Sequence, residues 1–90
     1  MKAVDLRIYG RVQGVSFRAW ALEHARSLGV KGWVRNHPDM SVLAHLEGDA
    51  DAVDKLVDQL HDGPRAARVD RVIAVPTEAK GMDGFEIRAP

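Results

Sequence analysis

The chain has no cysteine, which excludes a disulfide framework, a thiolate metal site and a cysteine nucleophile. It has no surplus of either charge. Thirteen basic and thirteen acidic side chains cancel, so no global field gathers nucleic acid or an anionic membrane surface. Aromatic residues are only 6% of the chain, and no apolar run approaches membrane-spanning length. Nothing at the N-terminus has the pattern of a signal peptide, so the expected location is cytoplasmic. His24, His37, His45 and His61 are scattered without metal-ligand spacing, so neither a metal nor a cofactor is expected. What remains, 46% apolar and 29% charged over 90 residues, is a single globular domain spanning residues 1–90 with one modest core. Its small size and neutral charge suit a monomer.

A local shortage says more. Between Asp5 and Glu23 there is no acid at all, and within that stretch lies Gly10-Arg11-Val12-Gln13-Gly14-Val15-Ser16-Phe17-Arg18. A glycine-containing turn at a helix start aims unpaired backbone N–H groups into one small space, which favours an anion. The first turn of a helix ordinarily takes Asp or Glu, because the dipole is positive there. Here Arg18 takes that place, which does little for stability and suits the binding of a dianion. With no net charge on the whole chain, any anion site has to be local, and residues 10–18 are its candidate.

Periodicity places this stretch in a fold. Val4, Leu6 and Ile8 alternate with Asp5, Arg7 and Tyr9 as in a strand with one buried face. A helix is expected from about Phe17 to Leu28, with Phe17, Ala21, Ala25 and Leu28 as its buried stripe, Ser16 as N-cap and Gly29 as its stop. A second strand follows over about Val30–Arg35, then a turn at Asn36-His37-Pro38-Asp39. A third strand, about Ser41–Glu47, puts Val42, Ala44 and Leu46 on one face. Asp49 caps the clearest helix, in which Val53, Leu56, Val57 and Leu60 keep helical spacing, and Gly63-Pro64 ends it. Val69–Val75 and Phe85-Glu86-Ile87 are the last strands. Strand, helix, strand, strand, helix, strand fits an α+β, ferredoxin-like two-layer sandwich: an antiparallel sheet, a short terminal strand, and both helices on one face.

The sequence resembles the acylphosphatase family. Residues 10–18 are similar to that family's phosphate-loop signature, and Gly32-Trp33-Val34-Arg35-Asn36 followed by Pro38-Asp39 to its second motif. Glu47-Gly48, Gly63-Pro64, Ala67-Arg68-Val69 and Phe85 extend the match over nearly the whole chain. The resemblance implies hydrolysis of the carboxyl–phosphate anhydride to a carboxylate and inorganic phosphate without a metal. It further implies Arg18 as the phosphate-binding arginine, Asn36 as the residue that orients the attacking water, and backbone N–H groups of Gln13, Gly14, Val15, Ser16 and Phe17 as the cradle. The chemistry of the residues agrees. A carboxylate leaves readily, so the work is to neutralise phosphoryl charge and to place a water in line. An arginine fork binds phosphate oxygens bidentately. An asparagine amide can donate to and accept from a water but cannot act as a base, which leaves the phosphate itself as proton acceptor.

Three positions depart from the family pattern: Ser16 stands where glycine or another small residue is common, Met40 where glycine is common, and His37 where an aliphatic residue is common. Met40 bears on the turn beside Asn36, since glycine is the residue that takes positive φ without strain. Arg11 and Gln13 read as loop surface and loop bracing, and Trp20 and Trp33 as packing residues. A non-catalytic anion-binding module is the main alternative, a carbamoyl-phosphate-handling domain a variant of it, and single-stranded RNA binding a third. The first has no use for Asn36 beside Arg18. The last lacks aromatics on the strand Ser41–Glu47. Asp49-Ala50-Asp51-Ala52-Val53 matches an aspartate-nucleophile motif in letters only, because it opens a helix instead of ending a parallel strand.

Overall fold

A computed structural model describes residues Met1–Pro90. The elements run β1 (Lys2–Arg11), α1 (Phe17–Leu28), β2 (Lys31–Asn36), β3 (Val42–Gly48), α2 (Ala50–Asp62), β4 (Arg68–Pro76) and β5 (Phe85–Ile87). They build one five-stranded sheet in the order β4-β1-β3-β2-β5. The alternation in β1 sets the register: Val4, Leu6 and Ile8 pair with Leu46, Ala44 and Val42 across β3, so one face is continuously apolar. Val34 of β2 continues that face opposite Ala44. Phe17, Ala21 and Ala25 of α1 and Val53, Leu56 and Leu60 of α2 close over it, giving a core of 16 buried residues. Full burial of one such Val, Leu or Phe is worth roughly 1.5–3 kcal/mol. The helices lie on one side only, which makes the two-layer sandwich.

The sheet is mixed instead of purely antiparallel, because β5 runs parallel to β2 with Val34 opposite Ile87. The reason is the connection. Residues 77–84 leave β4 at one edge and cross the end of the sheet to the other, a strap long enough to bring β5 in with either direction. Thr77 donates to the Ala3 carbonyl, and Gly32 donates to that of Gly84. Leu28 and Val57, expected in the buried stripes, are only half-buried against the core. Trp20 packs on Phe17 and His24, and Trp33 lies on the opposite face of the sheet beside Arg35 and Arg88.

The helix starts differ. Asp49 caps α2 through its side chain, which accepts from the Ala52 N–H. Ser16 does not cap α1 with its hydroxyl. Its backbone is left-handed, φ 62°, whereas a capping side chain needs an extended residue to reach forward to the helix N–H groups. Only its carbonyl serves α1, by accepting from Trp20.

Candidate active site

The loop between β1 and α1 is anchored at both ends and open between. Val12 and Phe17 are each 1% exposed, so hydrophobic burial fixes where the loop leaves the sheet and where it enters the helix. Gly10, at φ 133°, marks the departure. A β-bulge falls between Tyr9 and Gly10, and a Cβ there would lie 2.1 Å from the Arg68 carbonyl oxygen. Gly14 and Ser16 both take left-handed φ, 72° and 62°. Successive turns of this kind point main-chain N–H groups inward. None of the N–H groups from Gln13 to Ala19 donates to a protein acceptor.

The loop borders a pocket of about 390 Å³ lined by Val12, Gly14, Ser16, Phe17, Arg18, Ala19, Asn36 and Ile87. Arg18 is half-buried, makes no ion pair and is the one charged side chain on the pocket wall. Asn36 ends β2 and shares the helix-side face of that strand with Val34, which carries its carboxamide to the same pocket. Its Oδ1 is buried and finds no partner. A buried acceptor left unsatisfied costs about 1–3 kcal/mol. The pocket thus unites a free cation, free amide donors and a carboxamide whose oxygen has no protein partner.

Of the expected cradle, Gly14, Ser16 and Phe17 line the pocket, whereas Gln13 and Val15 do not. Val15 is half-buried against the core. Gln13 turns to the β2–β3 turn, where its Nε2 donates to the carbonyls of His37 and Ser41, 2.9 Å to each. Val12 lies within the stretch 10–18 but outside the expected cradle, and sequence reasoning missed Ala19 and Ile87. Ile87 could have been found only by knowing that β5 runs beside β2.

The turn after Asn36 is heavily bonded. His37 N–H donates to Ser41 O and Met40 N–H to His37 O. Met40 occupies the left-handed region, φ 76°, so it holds the glycine-like geometry despite its side chain. Asp39 accepts from the Ser41 hydroxyl and N–H and pairs with His37 Nδ1 at 2.9 Å. The Ser41 hydroxyl, the Ser41 N–H and the His37 ring draw its pKa down to about 2.

With this geometry in place, similarity to other proteins decides the family. The acylphosphatase family model matches residues 4–87. The chain belongs to the acylphosphatase family. An acylphosphatase of Nocardioides sp. is 51% identical over 86 residues, covering 96% of this chain and 87% of the relative. One from Thermococcus kodakarensis is 52% identical over 82 residues, covering 91% and 90%. The crystal structure of acylphosphatase from Bacillus subtilis superposes with a TM-score of 0.95 at 28% identity, over 98% of this chain and 99% of that one. The acylphosphatase is therefore a hydrolase of acyl phosphates with the ferredoxin-like fold of its relatives.

Proposed function

We propose that Arg18 and the amides from Gln13 to Phe17 hold the phosphoryl group of an acyl phosphate while Asn36 presents the attacking water, with no metal in the reaction. The water oxygen bonds to phosphorus as the bond from phosphorus to the acyl oxygen breaks. The carboxylate departs with that electron pair, and the water's proton passes to a phosphate oxygen. The products are a carboxylate and inorganic phosphate. Arg18 and the amides balance the charge on the phosphoryl oxygens, and this preorganised electrostatic stabilisation is the larger part of such catalysis. Positioning of the water by Asn36 supplies the rest.

The observation that carries this reading is the buried, unpartnered Oδ1 of Asn36 on the same pocket as an unpaired guanidinium and unbonded amides. A module built only to bind phosphate needs the cation and the amides and gains nothing from that oxygen. We take the substrate as a small-molecule acyl phosphate and the enzyme as a cytoplasmic monomer, in line with its lack of cysteine and of net charge. The test is turnover of benzoyl phosphate in excess chelator by the parent and by Asn36→Ala. The expected result is chelator-resistant hydrolysis, abolished in the variant, with phosphate still inhibiting or binding at parental concentrations. Chelator-sensitive turnover, or a variant as fast as the parent, overturns it.

A further inference from the structure

The phosphate loop and the arm that carries Asn36 belong to different parts of the chain, and the main chain joins them only through the sheet, where Val42 of β3 pairs with both Ile8 and Asn36. No backbone hydrogen bond joins residues 12–19 to residues 36–41. The side chain of Gln13 is the one hydrogen-bonded link between them. Its Nε2 uses both hydrogens, on the His37 and Ser41 carbonyls at the two sides of the turn, across 24 and 28 residues of sequence. The orientation of this amide is unambiguous, since both partners are acceptors. His37 follows Asn36 directly, and its own N–H and carbonyl are engaged within the same turn. Any displacement of the turn relative to the loop therefore has to stretch the Gln13 pair.

We propose that Gln13 is a positioning residue of this acylphosphatase. It fixes the distance between the bound phosphoryl group and the water on Asn36, and it signals occupancy of the loop to the turn. This deepens the reading above and rests on it, because a distance to the water matters only where Asn36 holds one. Attack in line tolerates little error, and a misplacement of about 1 Å can cost roughly a hundredfold in rate. Phosphate affinity depends on Arg18 and the loop amides and needs no turn. The two quantities separate at Gln13 as they cannot at Arg18.

Glutamate and methionine make the informative substitutions. Gln13→Glu keeps the length and shape but turns acceptor oxygens on two carbonyls; Gln13→Met keeps the bulk and offers no donor. Expected for both is a fall in kcat of about tenfold to a hundredfold, with the inhibition constant for inorganic phosphate within about threefold of parental. A second measurement does not depend on turnover. In the parent, inorganic phosphate should slow hydrogen exchange at the His37 and Met40 amides, which lie outside the loop. In both variants that protection should vanish while loop amides still respond to phosphate. Parental kcat in either variant, or a kcat and a phosphate affinity that fall together, overturns the proposal. So does unchanged exchange protection in the variants. If the parent itself fails to hydrolyse acyl phosphates, the proposed function falls, and the exchange experiment still judges the link.

Discussion

Arg18 sits where a helix start would ordinarily take an acid, and the structure gives it no carboxylate to pair with. A half-buried guanidinium beside free amide donors has no protein anion to bind, and a phosphoryl group supplies one. Arg18→Ala should therefore lower kcat/KM for acyl phosphates by about 10³–10⁵, comparable to loss of catalytic arginines elsewhere in phosphoryl transfer. Arg18→Lys should recover little of it, because an ammonium is a point charge and cannot fork across two phosphate oxygens. Steady-state hydrolysis of acetyl and benzoyl phosphate checks both; near-parental turnover by the lysine variant contradicts the bidentate role. Asn36 is the complementary case. Asn36→Asp preserves shape but places an acceptor-only carboxylate beside a dianion, so its rate should fall at least as far as that of Asn36→Ala.

The elements around these two residues are held in shapes that their own side chains resist. Ser16 and Met40 both have left-handed backbones, which cost a residue with a Cβ about 1–2 kcal/mol. Met40 is 62% exposed, so it gains almost nothing from burial in return. Met40→Gly should stabilise the fold by about 0.5–1 kcal/mol, strain relief less the larger freedom of glycine in the unfolded chain. Urea denaturation measures this, and a lowered midpoint refutes it. Ser16 shows what was legible in the sequence and what was not. The loop, α1, α2 and the apolar alternation of β1 and β3 follow from local periodicity and turn chemistry, and with them the pocket's cation and its amides. The conformation of Ser16 does not, since serine is a common helix cap and letters do not carry φ. Nor do the Gln13 bonds, the parallel setting of β5 or the place of Ile87. Each depends on which distant segment arrives alongside, and a pattern of nearest neighbours carries no such information.

Across the whole molecule, one buried carboxylate ties the strap of residues 77–84 to the sheet. Glu47 is 1% exposed. It accepts from the N–H groups of Lys80, Gly81 and Met82 at 2.7, 3.0 and 3.1 Å and faces His45 Nε2 at 2.7 Å. The other nitrogen of that ring meets Asp5 at 2.7 Å. Burial pushes the Glu47 pKa up, but the Lys80 amide, the His45 ring and the Met82 amide more than reverse it, so it falls from 4.5 to about 2. A folded pKa below the unfolded one stabilises the protein fully above about pH 4.5, and this contribution is lost as the pH drops through about 2. Asp39, also drawn from 3.8 to about 2, adds to the same acid limb. Stability measured by urea should therefore be level near neutrality and fall steeply between about pH 4.5 and 2. Glu47→Gln should cost about 3 kcal/mol at pH 7, as expected for breaking a buried charged network. Because the lost part is the part that titrates, the two curves should approach each other toward pH 2. Curves that stay parallel over that range would mean that Glu47 holds the strap by shape alone. Convergence would mean that its charge fastens β5, and with it the Ile87 wall of the pocket, to the rest of the sheet.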